Sequence, residues 1–294
     1  VWSVMGAYNQ FKGQQCCHNQ YLLNDILKQD WQFDGVVISD WGGVHNTEQA
    51  ANFGLDLEMG TWTDGLSQGK TNAYDNYYLA EPLLKKIKKG EINIKVVDDK
   101  VRRLLKMIFR TVMNSQRPWG SFGTEEHALA GRTIAENGIV LLKNDKNILP
   151  INLNKIKKIA VVGENATKRM TLGGGSSSLK VKYEITPLDG LKKQIGNLAE
   201  IIYVKGYVSP LTEKRDHKPE IPVGYKEPNP EILLQEAINA AKDADIVLYF
   251  GGLNKNENQD SEGNDRKSYN LPYGQDRLIS ELAKVNKNIV VTII

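Results

Sequence analysis

Apolar residues in this chain fall into two rhythms. Short β-branched runs mark strands buried on both faces, and three-to-four spaced apolar residues mark helices between them. Val1 to Tyr8 predicts a strand. Asn19 then caps a helix carrying Leu22, Leu23, Ile26 and Leu27 on one face. Val36, Val37 and Ile38 form the next strand, and Asp40 follows at its carboxyl end. Thr47 to Asn52 predicts a short helix and Leu55 to Met59 a further strand. Residues 60–76, holding Trp62 and Tyr74, form a long polar loop. Tyr78 to Lys89 reads as a helix stopped by Gly90. A helix capped by Asp98 follows, with Val101, Leu104, Leu105, Ile108 and Val112 facing a core. Strand, helix, strand at this spacing is the βα unit of a parallel sheet.

Asn114 to Gly120, with Pro118 and Gly120, breaks the pattern and predicts a linker. Beyond it Thr124 caps a helix whose buried face is Ala130, Ile134 and Ala135. Strands are expected at Ile139–Leu142, Ile159–Val162, Ile201–Val204, Ile246–Phe250 and Ile289–Ile294. Helices start at Pro230, capped by Asn229, and at Gln275. Residues 205–228 read as a surface loop. The expected organisation is an α/β protein in two parts, residues 1–113 and 124–294, joined by a linker at 114–123.

Composition adds exclusions. The chain has 294 residues, a net charge of +3, and acids and bases interspersed, so nothing points to nucleic acid. No apolar run reaches the ~20 residues of a membrane span. Cys16 and Cys17 are adjacent, which gives no disulfide framework and no zinc set, and the histidines lack metal-ligand spacing. No metal site is expected. Both ends read as strands without polar tails, so the sequence is expected to be a piece of a longer chain, which leaves any secretion signal out of view.

The ordered set Val4-Met5-Gly6-Ala7-Tyr8-Asn9, Asn19 with Leu22-Leu23, Phe33-Asp34-Gly35-Val36-Val37-Ile38-Ser39-Asp40-Trp41 and Gly54-Leu55-Asp56-Leu57-Glu58-Met59 resembles glycoside hydrolase family 3, the β-glucosidase family. The match continues through Gly138–Asn144, Ile159–Gly163, Gly173–Ser177 and Ser261–Arg266, so it covers almost the whole chain. The resemblance implies the C-terminal part of a (β/α) TIM-like barrel, followed by an α/β sandwich domain that carries an acid/base loop. A whole barrel takes about 250 residues, so its earlier part, with further sugar-binding residues, would precede Val1. The resemblance implies a retaining exo-β-glycosidase that releases terminal β-D-glucose, with a carboxylate pair and no cofactor. Asp40 would be the nucleophile and Glu262, in the E-G-x-D-R loop, the acid/base, with Glu257 as its rival. Met5, Tyr8 and Trp41 would line the sugar pocket, and Ser176, or equally Ser177, would touch sugar hydroxyls. Arg266 would brace the loop by pairing with Asp265 or another acid.

The implied partner is a small carbohydrate, a β-glucoside or cello-oligosaccharide. A homodimer is compatible with this reading, and the family suggests a periplasmic or secreted protein. β-Xylosidases share the family and are the nearest alternative. Two other classes compete: a non-catalytic carbohydrate-binding fragment, and a nucleotide-binding α/β protein. The second would use the glycines after Ile159–Val162, but only Gly163 stands in the first turn after that strand, where a dinucleotide fingerprint needs several.

Overall fold

A computed structural model describes residues 1–59, 77–171, 179–211, 221–256, 259–260 and 265–294. The chain divides into two compact units, Val1–Ser121 and Phe122–Ile294.

In the first unit, β1 (Ser3–Gly6) and β4 (Val36–Ser39) pair in parallel, with Gly6 opposite Ser39. A small hairpin of β2 (Gln10–Phe11) and β3 (Gln14–Gln15) lies between them in sequence. Its turn places Lys12 and Gly13 at positive φ, as a tight two-residue hairpin requires. The expected strand at 55–59 reduces to one parallel bridge, Ile38 to Leu57. The helix Tyr21–Asp30 is wound in the wide π form, closing with the Trp31 N–H on the Ile26 carbonyl. Asn19 caps it, accepting the Leu22 N–H at 3.0 Å. Leu23 and Leu27 from this helix pack with Cys17, Val37, Val44, Ala50 and Leu55 into the core. Three helices follow: α1 (Thr47–Asn52), α2 (Glu81–Lys88) and α3 (Lys95–Arg110).

Helix α3 begins before Asp98, so Asp98 lies inside it and does not cap it. Its orientation also departs from expectation. Val101, Leu105, Ile108 and Val112 are exposed. The basic side of α3 faces the unit instead. Lys100 reaches the carbonyls of Ala50 and Leu55, and Arg103 those of Phe33 and Gly35. Lys106 and Arg110 pair with Asp34, and the Arg110 guanidinium lies 4.3 Å from the centre of the Trp2 ring. Free carbonyls and a carboxylate at the amino end of β4 need donors, and this face supplies them.

The second unit holds a four-stranded parallel sheet in the order β6-β5-β7-β8. The strands are β5 (Lys158–Val162), β6 (Glu200–Val204), β7 (Ile246–Gly251) and β8 (Ile289–Ile293). Alternation sorts the side chains between two cores. Ile159, Val161, Ile246 and Leu248 face α5 (Pro187–Ile195), where they meet Leu188 and Ile195. Ala160, Val162, Val247 and Tyr249 face α6 (Pro230–Lys242) and α7 (Gln275–Val285). Helices on both faces of a parallel sheet make this an open, doubly wound α/β layer structure.

Two expectations fail at the start of this unit. Helix α4 (Glu125–Gly138) forms, with Thr124 accepting the His127 N–H at 3.3 Å, but it buries no residue. Ala130, Ile134 and Ala135 are exposed, and Ile139 to Leu142 join no strand among the described residues. An apolar pattern records that a face can be buried; it does not say which element covers it.

Candidate active site

Asp40 stands at the carboxyl end of β4, the edge where parallel α/β sheets place their chemistry. Its main chain is fixed by two hydrogen bonds and its side chain by a third. The Asp40 N–H donates to the Gly6 carbonyl at 3.3 Å and its carbonyl accepts the Gly43 N–H at 3.1 Å. Its carboxylate accepts the Trp41 N–H at 2.8 Å. Ser39, fully buried, accepts the Met59 N–H through Oγ at 2.9 Å and ties the next loop to the same edge. Glu58 accepts the N–H groups of Tyr78 and Leu79, and its burial raises the carboxyl above the usual range.

Beneath Asp40 the packing is close. Cys17 is fully buried and its thiol donates to the Ala7 carbonyl at 3.4 Å. A Cβ on Gly43 would meet the Cys17 sulfur at 2.6 Å, and one on Gly6 would meet it at 3.0 Å. Gly43 is therefore required by the thiol, and Gly6 is tightly packed against it. Burial, with a smaller contribution from the Asp40 charge, pushes the Cys17 thiol up and keeps it protonated. His18 is also buried and accepts the His45 N–H at 3.2 Å, which holds the segment after Trp41. Desolvation lowers its pKa, so it stays neutral and keeps that acceptor.

The register of β1 against β4 pairs Met5 with Ile38 and Gly6 with Ser39, so Tyr8 follows the end of β1 as Asp40 and Trp41 follow the end of β4. Met5, Tyr8 and Trp41 are all at least 47% exposed, open to a ligand at this edge. Sequence reading did not single out Asp56. It is 4% exposed, receives the Lys28 ammonium at 2.7 Å and the Val37 N–H at 2.8 Å, and lies 3.9 Å from Arg103. It braces β4 from behind, and its signal was an acid in an otherwise apolar run.

Glu262, Glu257, Ser176 and Ser177, with Trp62 and Tyr74, lie outside the described residues. The roots of the Glu262 loop are described. Gln275, fully buried, accepts the Gly252 N–H at 2.8 Å and donates to the Gly252 carbonyl at 2.9 Å. Its oxygen would sit 2.2 Å from a Cβ on Gly251, so glycine is needed there. Arg266 pairs with Asp260 at 3.5 Å and donates its main-chain N–H to the same carboxylate at 3.0 Å.

The turn after β5 decides the nucleotide alternative. Gly163 is required by the neighbouring strand, since a Cβ would fall 1.9 Å from the Phe250 carbonyl oxygen. Glu164 follows, 8% exposed, its carboxylate accepting the Ser209 N–H and hydroxyl at 2.9 and 2.6 Å. A buried carboxylate where a pyrophosphate would sit repels it. Among the described residues no cluster of His, Cys, Asp and Glu could hold a metal, and no helix is long and apolar enough to cross a membrane.

Residues 1–107 match the glycosyl hydrolase family 3 N-terminal domain and residues 139–294 its C-terminal domain. The chain belongs to glycosyl hydrolase family 3. It is 46% identical to a β-glucosidase of Bacteroides ovatus, over all of this chain and 39% of that protein. It is 33% identical to thermostable β-glucosidase B of Acetivibrio thermocellus, over all of this chain and 34% of that protein. Among solved structures, the family 3 β-glucosidase of Bifidobacterium adolescentis matches 99% of this chain and 38% of its own, with a TM-score of 0.76 and 30% identity. The chain thus spans between a third and two fifths of the curated relatives named here. Its fold is the family's, part of a (β/α) barrel followed by an α/β sandwich.

Proposed function

We propose that this chain is part of a retaining exo-β-glycosidase that removes terminal, non-reducing β-D-glucose from glucosides and short oligosaccharides. The observation that carries this is the placement of Asp40. It follows the parallel strand β4 directly, with its main chain hydrogen-bonded at both its N–H and its carbonyl, in a chain of family 3 whose relatives include β-glucosidases.

In this reading the Asp40 carboxylate attacks the anomeric carbon as the glycosidic C–O bond breaks. The Glu262 carboxylic acid gives its proton to the leaving oxygen. The resulting carboxylate then takes a proton from water, which attacks the anomeric carbon and releases Asp40. Met5, Tyr8, Trp41 and Ser176 hold the sugar, with Trp41 offering a flat apolar face and Tyr8 orienting the nucleophile. The carboxylate pair does the chemistry without a cofactor. An extracytoplasmic location, periplasmic or secreted, belongs to the same proposal and is tested by fractionating the source cells.

The test uses the full-length enzyme. Asp40→Ala loses at least about 10³-fold in kcat, and azide restores turnover with an α-glycosyl azide as product. Turnover near wild type without azide would remove Asp40 from the role. Glu262→Ala keeps most of its kcat/KM on glucosides with good leaving groups and loses it on alkyl glucosides, while kcat falls on both because no base activates water; equal loss of kcat/KM on both would move the acid/base elsewhere, first to Glu257. Preference for aryl xylosides over aryl glucosides would replace the substrate assignment with a β-xylosidase.

A further inference from the structure

In sequence, Glu262 falls between the end of β7 at Gly251 and the turn Pro272–Gly274 that precedes α7. The next residue, Tyr273, is unusual. Its backbone lies at φ 60°, ψ 29°, in the left-handed region that a bulky side chain occupies at a cost. Gly274 follows at φ 71°, where glycine pays nothing. A strained aromatic residue persists where its surroundings over-determine it, and such residues gather at functional sites.

The surroundings of Tyr273 point in two directions. Its ring stacks on Tyr207 with centroids 6.3 Å apart and planes 11° from parallel. Tyr207 is 3% exposed and donates to the Phe250 carbonyl on β7, so it belongs to the sheet core. On the other side the Tyr273 hydroxyl accepts Gln259 Nε2 at 2.8 Å and Asn256 Nδ2 at 3.4 Å. Both lie in the run that leads to Glu262, and both are 3% exposed although they belong to a polar loop. Gln259 also accepts the Asn254 N–H at 2.7 Å. Asp260, the next residue, holds Arg266.

We propose that Tyr273 is a positioning residue for the acid/base loop: through Gln259 and Asn256 it couples the root of that loop to the Tyr207 side of the sheet core. The strained backbone is what turns the hydroxyl onto the loop while the ring stays on Tyr207. The proposal rests on reading Glu262 as the acid/base.

The experiment uses the full-length enzyme and a series of glucosides that differ in leaving-group acidity. Tyr273→Phe keeps the ring and deletes the hydroxyl; Gln259→Met deletes the donor from the other side. Both variants are expected to lose roughly tenfold or more in kcat/KM on alkyl glucosides. Both should stay within about twofold of wild type on 2,4-dinitrophenyl glucoside, which needs no proton, so the leaving-group dependence steepens. A merely structural role would lower all substrates alike or only the melting temperature. Uniform loss, or none, in variants measured beside a Glu262→Ala enzyme that does show the selective loss, overturns the role of Tyr273. If Glu262→Ala shows no selective loss, the acid/base reading fails and this proposal falls with it.

Discussion

Lys100 shows how a single buried charge is tolerated. It is 8% exposed, and its ammonium donates to the carbonyls of Ala50 and Leu55. Burial lowers its pKa to about 8, more than the attraction of Asp56 can restore. The folded chain therefore gives up this proton before the unfolded chain does. Between about pH 8 and the free value of 10.5 the unfolded state binds more protons, so Lys100 makes stability rise with pH. By pH 10 its contribution should gain about 2 to 3 kcal/mol over its value at neutral pH. Urea unfolding of wild type and Lys100→Met across this range measures it. The difference between the two should grow with pH in favour of the wild type; a constant difference would mean that Lys100 titrates normally.

At the scale of elements, close approach decides more than propensity. Gly163 joins β5 to the turn of Glu164 at φ 121°, against the Phe250 carbonyl of the neighbouring strand. Gly163→Ala introduces both backbone strain and a clash that β7 cannot relieve without moving. A loss of roughly 3 kcal/mol or more is expected, read as a lower denaturation midpoint at unchanged slope. A loss under about 1 kcal/mol would mean that the strands shift freely. Helix α5 shows the opposite case, where local sequence suffices. Thr186 accepts the Asp189 N–H at 3.2 Å, the Asp189 carboxylate reaches back to the Thr186 N–H at 3.4 Å, and Pro187 occupies the first turn. Thr-Pro-x-Asp is a helix start that could be read without coordinates, with Leu188, Leu191 and Ile195 following at helical spacing.

Across the whole molecule, the stretch that straddles the boundary of the two compact units at Ser121 and Phe122 is exposed. Residues 114–123 are exposed throughout, with Trp119 at 93% and Phe122 at 95%. Limited chymotrypsin treatment should cut after Trp119 or Phe122 before any aromatic residue in the described cores. Trypsin should spare Arg117, because Pro118 follows it. Early cleavage at the buried Tyr207 or Tyr249 would contradict the division into units. At this scale too the polarity of the first unit is clear. Basic residues of α3 brace the amino end of β4, while Asp40 and Trp41 follow its carboxyl end, so the bracing contacts and the proposed site use opposite edges.

The sequence by itself determined the longer parallel strands, most of the helices and the place of Asp40 at the end of β4. Val36 to Ile38, consecutive and β-branched, read as a strand buried on both faces, and the acid just beyond it falls at the carboxyl end of that strand. Asn19, Thr124 and Asn229 cap the helices they were expected to cap, because a cap is a contact over three residues. Tertiary structure alone decided what lies far apart in sequence. The exposed stripe of α3 and the uncovered faces of α4 and Ile139–Leu142 show that periodicity names an apolar face without naming its partner. Cys17 between Gly6 and Gly43, Asp56 against Lys28, and Tyr273 against Gln259 depend on distances that no local pattern encodes. Local geometry follows from neighbouring residues; burial and hydrogen-bond partners depend on where the rest of the chain returns.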